Sequence, residues 1–504
     1  MSVSAPARSV EHGPTKPKAQ RGFGKIRRWV QALQHPISRE RRALNRARLD
    51  DLPEHLQTPQ QVLGRGHHSC GATHGVLERC NLACTSCYLT KIANAVPPLP
   101  KHEVYRQLDE LRAFLGPQGK AQITAGEVTL LDVESLGDYV AYACSIGLDP
   151  MVMSHGQRFL DEPEYLEELM TRYGLEKVSL HIDSTQRGRP GWRPDIDEAG
   201  MNAVREALAR QVRQARRRTG KTLHAAHTIT VTPKNLEGVR DALAWCKENS
   251  DAFRMVSLQP AAAVGRTESG EKGGSLTMDE VWEIVREGLG EPQLNRHALH
   301  FGHPECNVIT PLAVLKLGDR YRIFEGVREG KAWDLGFMNR ALNAWSGFTT
   351  RGSSRSESAL AILSLLVRNL PLLAESVPYT LYRMVGYRSW LLDLLKALAA
   401  PLRGRLPSLK VNILALVIHR FMSPEEIDTP LGQERLDACV FQVPVDGQMV
   451  SMCTLNATDL RAQINHQQRE LHGSVSRSGS RRSPAVSIDR GHGERRKRRQ
   501  ASQA

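Results

Sequence analysis

The sequence predicts an α/β fold: an open, partial (β/α)6 TIM-like barrel with an α+β C-terminal extension and disordered basic tails. Three observations predict it. Six short runs rich in Val, Ile, Leu or Thr alternate with amphipathic stretches between residues 72 and 261. Such alternation implies parallel strands joined by crossover helices. Six units rather than eight leave the barrel open, and the rhythm stops after residue 300.

The elements follow in order. Strands are expected at 72–78, 120–126, 149–156, 177–184, 223–231 and 253–261. Between the first two, Val104, Leu108, Leu111 and Leu115 recur at helical spacing. Before the last, Val239, Leu243 and Cys246 do the same, with Asn235 as the expected N-cap. Beyond the barrel, residues 306–324 read as a hairpin turning at Gly318-Asp319. Residues 338–420 read as leucine-rich helices broken by prolines. Residues 437–457 read as a second hairpin about Asp446-Gly447. The expected domains are 1–50 (basic, partly disordered), 51–295 (barrel), 296–465 (extension with a helical insertion) and 466–504 (disordered basic tail).

The net charge of +14 is unevenly placed. Residues 1–49 carry +10 and residues 471–504 carry +7, so the remainder is near −3. The basic balance therefore describes the tails, and no basic surface stripe for nucleic acid is read in the core, so nucleic acid is not an expected partner. Trp29, Val30, Leu33 and Ile37 line one side of a short basic segment, which would suit peripheral contact with a membrane. No apolar leader and no run of roughly 18 apolar residues is present, so a cytoplasmic protein is expected. In that compartment clustered thiols point to metal or catalysis before disulfides.

The cluster is Cys80, Cys84 and Cys87, spaced C-x3-C-x2-C in "LERCNLACTSCYLT". A structural zinc site would want four ligands, usually as two close pairs. A redox pair would be a lone C-x-x-C. Three thiolates in one loop can hold three corners of a cubane 4Fe-4S cluster and leave one iron open.

This trio, followed by Tyr88 at the end of a first strand, resembles the signature of radical S-adenosylmethionine enzymes. Other parts follow in the order that family shows, over residues 70–290. Thr124-Ala125-Gly126-Glu127 resembles its Gly-Gly-Glu turn, with Ala125 for the first glycine. "MSHG" offers Ser154 and His155 as ribose-contacting groups, "SLHIDS" offers His181 and Asp183, and "SLQPAAAVGR" offers Gln259 along the adenine. The resemblance implies a 4Fe-4S cluster, S-adenosylmethionine, a reductant such as flavodoxin or ferredoxin, and a 5′-deoxyadenosyl radical that activates a C–H bond. The alternative is a cluster used only for sensing or electron transfer.

Cys306, Cys439 and Cys453 are candidates for a second iron–sulfur cluster, or zinc, with His419 or His303 as a fourth partner. A three-residue loop with Gly447 left-handed would pair Cys439 with Cys453 directly. Cys70, Cys144 and Cys246 read as lone or buried thiols. The segments "TPQQVLGRG", "SLHIDSTQRGR" and "RLDACVFQVPVDGQMVSMCTLNA" resemble a bacterial group distantly similar to tetraether-lipid synthases and pterin methylases. With the apolar, Arg-studded insertion at 357–406, that resemblance suggests a lipid or other apolar small molecule as substrate. A peptide- or cofactor-modifying enzyme, or a methyltransferase, is the alternative.

Overall fold

A computed structural model describes residues 29–475, apart from 31–32, 34–36, 66–67, 270–275, 319, 329, 346–347, 349–354, 386–398 and 400–408. Residues 1–28 and 476–504 of the basic tails and much of the 357–406 insertion lie outside the described residues.

Eleven strands form one sheet: β1 Cys70–Ala72, β2 Lys120–Ile123, β3 Asp149–Ser154, β4 Lys177–His181, β5 His224–Val231, β6 Phe253–Pro260, β7 Asn307–Leu317, β8 Arg320–Glu325, β9 Leu409–His419, β10 Phe441–Val445 and β11 Gln448–Ser451. Their order is β11-β10-β1-β2-β3-β4-β5-β6-β9-β7-β8. Strands β1 to β6 are the six parallel strands expected from the sequence, curled as a half-barrel. β2 and β3 alternate in burial because one face meets helices and the other faces the interior: Ile123 and Val152 pack outward, while Lys120, Gln122, Met151 and Met153 line the inside. Helices α1 Arg39–Asp50 and α2 Lys101–Leu115 belong to the outer layer. Val104, Leu108, Leu111 and Leu115 of α2 are all buried, as their spacing predicts.

The extension departs from expectation in several places. Residues 409–419, read as helical, form β9, which pairs parallel to β6 and antiparallel to β7. Its Val and Ile positions suit a strand enclosed between two neighbours. Strand β10 likewise adds parallel to the other edge, beside β1. The six-stranded core thus gains one parallel strand on each side. The first strand is shorter than expected and ends at Ala72, because Gly75 (φ 66°) bends the chain and its N–H donates to Glu78 Oε1. Asn235 does not cap its helix, which starts at Val239. Its side chain accepts from Thr232 N–H (2.8 Å) and donates to Glu198 (2.9 Å), tying down the preceding turn. The chain is still helical, over Leu460–Val475, beyond residue 466 where a disordered tail was expected. Asn465 and Gln468 of that helix bond Thr90 Oγ1 and the Pro97 carbonyl.

Asp446 and Gly447 both have positive φ (48° and 79°), and Val445 pairs directly with Gln448. This is a two-residue turn, so the bulged register expected to pair Cys439 with Cys453 is not formed. Cys453 instead sits in the helix Met452–Ala457 that follows β11.

The two edges of the parallel sheet are bridged by aromatic side chains. The rings of His419 (β9), Phe421 and Phe441 (β10) lie within 5.8–6.3 Å of one another. This seam and the extension behind it wall off the side that a six-stranded half-barrel leaves open.

Candidate functional site

The cysteine loop, residues 77–90, has no regular secondary structure, and neighbouring segments hold it by backbone bonds. Ala83 N–H and Thr85 N–H donate to the carbonyls of Arg187 (2.8 Å) and Thr185 (2.9 Å), just beyond β4. Arg266 N–H and Glu268 N–H, beyond β6, donate to the carbonyls of Cys87 and Thr85 (both 2.9 Å). Cys87 N–H donates to Thr267 Oγ1 (3.1 Å) and Cys80 N–H to Asn94 Oδ1 (3.0 Å). The segment after β6 approaches so closely that a Cβ on Gly265 would lie 2.4 Å from the Tyr88 carbonyl. Gly126 is equally constrained: at φ 60°, a Cβ there would lie 2.2 Å from the Leu77 carbonyl.

Cys80, Cys84 and Cys87 are unbonded to one another and line a single cavity of about 430 Å³ that fills the barrel interior. Burial pushes the Cys80 thiol up to about 11 and Cys84 well above the usual thiol range; the nearby charge of the other loop cysteines adds to both shifts. Two thiols made harder to ionise by burial and by neighbouring charge, with Arg266 and, at Cys80, the Leu82 N–H acting the other way, suit a cationic group that binds the loop sulfurs as thiolates. The chemistry of this donor set fits an iron–sulfur cluster. Among the described residues no three His, Cys, Asp or Glu side chains converge on a single-ion site.

The strand ends carry the other expected groups. Glu127 is 2% exposed. Its Oε1 accepts from Thr129 N–H (3.2 Å), from Ser154 Oγ (2.8 Å) and from the Thr129 hydroxyl; its Oε2 accepts from His155 N–H (2.8 Å). The carboxylate therefore clamps the ends of β2 and β3 together. His155 Nδ1 accepts from Gln157 N–H (3.1 Å), which places its proton on Nε2, bonded to Asn81 Oδ1 (2.8 Å) and 3.2 Å from Glu127 Oε2. Burial lowers the His155 pKa and keeps the ring neutral.

His181 faces the cavity, and Asp183 stands behind it. Asp183 Oδ2 contacts His181 Nε2 (2.6 Å) and accepts from Thr230 N–H (2.7 Å); Oδ1 accepts from Thr185 N–H (3.0 Å) and Thr185 Oγ1 (2.5 Å). Burial alone would raise this carboxyl, but His181 and these donors outweigh it and hold it well below the usual carboxylate range. Asp183, expected as a cofactor contact, is fully buried and outside the cavity wall, so it positions His181. Ala125 is also off the wall: it packs with Leu89 and Ala93 under Cys80 and Cys87. Gln259 lines the cavity with no side-chain partner among the described residues. Tyr88 lines it with its hydroxyl 3.4 Å from Thr124 Oγ1 and the Arg461 guanidinium 4.9 Å from its ring centre.

The second trio is near the aromatic seam. Burial raises all three thiols, Cys439 to about 11, and Cys439 and Cys306 each add to the shift of Cys453. Each also has a partner from the chain: Arg435 Nε donates to Cys306 Sγ (3.0 Å), Cys439 Sγ donates to the Phe441 carbonyl (3.3 Å), and Met422 N–H donates to Cys453 Sγ (3.4 Å). His303 is engaged by Glu434 (3.1 Å), whereas His419 lines the cavity.

Sequence reasoning missed Thr129, Asn81 and Arg266, which hold the named groups in place. It also missed the buried pair Arg461–Glu78 (2.8 Å), which anchors the C-terminal helix under the cysteine loop. Only their closeness to the motifs signals them, since the contacts span up to 383 positions.

No protein-family model and no curated protein sequence matches the chain. Solved structures match over part of the chain. Streptococcus suis SuiB bound to precursor peptide SuiA matches with TM-score 0.33 and 14% identity over 47% of this chain and 48% of that one. SuiB bound to S-adenosylmethionine matches with TM-score 0.32 and 12% identity over 47% and 50%. Histidine-tagged anSMEcpe with bound AdoMet matches with TM-score 0.28 and 13% identity over 38% and 50%. The chain spans about half the length of each of these structures.

Proposed function

We propose that the protein is a radical S-adenosylmethionine enzyme acting on an apolar substrate. One observation carries this reading: three free thiols of one tightly stitched loop open onto the same cavity as the groups at the strand ends. Cys80, Cys84 and Cys87 would hold the cluster, leaving one iron for the cofactor. When bound, the cluster and S-adenosylmethionine supply one-electron cleavage of a sulfonium C–S bond and a carbon radical able to take hydrogen from an unactivated C–H.

The chain's own groups orient and enclose. The Gly126 turn permits backbone approach, and Glu127 fixes Ser154 and His155 and places negative charge beside the position for an ammonium. His181, held by Asp183, and the free amide of Gln259 offer polar contacts from the opposite strands. The aromatic seam keeps water and loose side chains away from a reactive carbon centre. An electron donor such as flavodoxin or ferredoxin completes the reaction. Cys306, Cys439 and Cys453 are proposed for a second cluster.

Anaerobic loading with iron and sulfide should give about four irons per chain at the first site. A reduced, loaded protein should release 5′-deoxyadenosine from S-adenosylmethionine. Cys80/Cys84/Cys87→Ala should lose both the iron and the product; unchanged release would refute the assignment.

Apolar surface supports a membrane-facing location. No single described helix is long and apolar enough to cross a bilayer, but the bent pair Ser356–Arg368 and Leu370–Arg383 has the composition for it. Leu363, Val367, Leu370, Val377 and Leu381 are 54–63% exposed, and Ser364 and Arg368 bond the Leu33 carbonyl, bringing exposed Trp29 and Val30 to the same side. A surface of this kind suits the interface of a bilayer. Leu363→Asp with Val377→Asp should abolish sedimentation with anionic vesicles; undiminished binding would exclude this surface.

A further inference from the structure

The cavity does not end beneath the strand-end groups. It continues to the N-terminal ends of the strands, where Lys120 (β2), Lys177 (β4), His224 (β5) and Arg254 (β6) line it. Lys177 pairs with Asp149. Lys120 and Arg254 have no hydrogen-bond or ion-pair partner among the described residues. Arg254 is the extra residue of a bulge: Ala225 pairs with Phe253 and Ala226 with Met255, and its exposed side chain lines the rim of the cavity. Arg41 of α1, bonded to the carbonyls of Pro117 and Gln118, adds a fourth fixed cation close by, with its Nε buried and unpaired. Asp149 and Glu176 stand beside Lys177, and Arg216 with Asp251 stands beside Arg254. Five cations against three carboxylates leave a positive excess at this end of the chamber. The neighbouring histidines agree with that sign. After burial, Arg254 and Lys177 further lower His224, to about 4, and Arg48 and Arg41 further lower His68, also to about 4.

Between this end and the strand-end groups the wall is Met151, Met153, Met255 and Ala226 on the barrel side, with Phe301 and Ile309 also lining the chamber. Ser179 and Thr228 bond each other at 2.8 Å, while Ser257, in register with Thr228, and Gln122, in register with Met151, also line this stretch.

We propose that this lower chamber binds the anionic head, a carboxylate or a phosphate, of an extended apolar substrate, with Lys120, Lys177 and Arg254 as the receptor. Lys120 stands four residues before Thr124, and Lys177 four before His181. At about 3.3 Å per residue the head lies roughly 13 Å from the cofactor level. An extended alkyl chain advances about 1.25 Å per bond, so the reacting C–H stands on the order of ten bonds from the anion. Only the placement of the reacting end rests on the radical reading; the anion site stands without it.

The test is equilibrium binding to the full chain below micellar concentrations, with dodecanoate, dodecyl phosphate, dodecanol and dodecyltrimethylammonium as probes. At least one anion should bind tighter than the alcohol by about tenfold or more. Whichever anion binds better identifies the head as carboxylate or phosphate. Lys120→Met with Arg254→Met should reduce the anion to the affinity of the alcohol. Arg254 is exposed, so Arg254→Glu keeps the test open if the double variant fails to fold; it should weaken the anion and strengthen the ammonium. Equal binding of all four probes, or variants that leave the preference unchanged, would overturn the proposal. Iron loading and S-adenosylmethionine cleavage in the same preparations report on the radical reading separately. Protein that prefers the anion but holds no iron would sink that reading and keep this site.

Discussion

Replacing Glu127 by Gln separates positioning from charge at the strand ends. The carboxylate accepts from two backbone N–H groups, those of Thr129 and His155, and from two hydroxyls. The hydroxyls can rotate to accept instead, but the N–H groups cannot. An amide nitrogen placed at Oε2 faces His155 N–H and the protonated His155 Nε2; placed at Oε1 it faces Thr129 N–H. Either orientation orphans one buried N–H, at about 1–3 kcal/mol, and removes charge assistance worth about 1 kcal/mol from the bonds that remain. The sum is about 2–4 kcal/mol, or roughly 5–15 °C in Tm for a barrel of this size. Differential scanning calorimetry reads that shift, iron analysis should show the cluster content unchanged, and 5′-deoxyadenosine release should fall at least about tenfold. A variant with wild-type Tm would refute the hydrogen-bond accounting. One with lowered Tm but undiminished release would show that Glu127 clamps the strands and does nothing for the cofactor.

Three further outcomes are expected. Cys306/Cys439/Cys453→Ser should lower the iron content of the loaded protein from about eight to about four per chain, while an untouched count would leave these thiols without a cluster. Asp183→Asn should destabilise the protein most at neutral pH. The folded carboxyl is held below its ordinary value near 4, so its contribution is complete above about pH 4 and fades as the pH falls toward the folded value. The Tm gap between wild type and variant should therefore close in acid, and a gap that widened there would contradict the assignment. Gly126→Ala should cost more than about 2 kcal/mol, from a left-handed backbone and a clash with the Leu77 and Arg79 carbonyls; an unchanged Tm would show that the turn has room to move.

Much of the barrel was legible because its signals are local. Period-two burial in β2 and β3 and the helical spacing of Val104, Leu108, Leu111 and Leu115 depend on near neighbours in sequence. The cysteine loop was legible for the same reason. The extension was not. β9 lies between β6 and β7 with Leu414, Leu416 and Ile418 buried, and a short apolar run of this kind reads equally as strand or helix. The register of the β10–β11 hairpin turned on whether its loop held two residues or three, a choice that Asp446-Gly447 permits either way. Asp183 and Ala125 were placed on the cavity by motif position alone; which neighbour screens them is decided by strands joined from far along the chain.

The extension also explains how six strands suffice. A half-barrel alone leaves its interior open along one side, where the Met-lined wall and the basic end would lie in water. β9 and β10 extend the sheet in parallel from both edges, and His419, Phe421 and Phe441 meet across the remaining gap. The resulting chamber joins two requirements that a shallow groove would not meet together. One is exclusion of water around the cysteine loop. The other is a half-buried setting in which Lys120, its pKa lowered to about 8 chiefly by burial, has its charge stabilised when an anion arrives. On this argument the anion and the enclosure are coupled. Opening the seam with Phe421→Ala should let water in, weaken anion binding and raise the solvent reactivity of the loop thiols in the same variant. Loss of one without the other would show that the two ends of the chamber are independent.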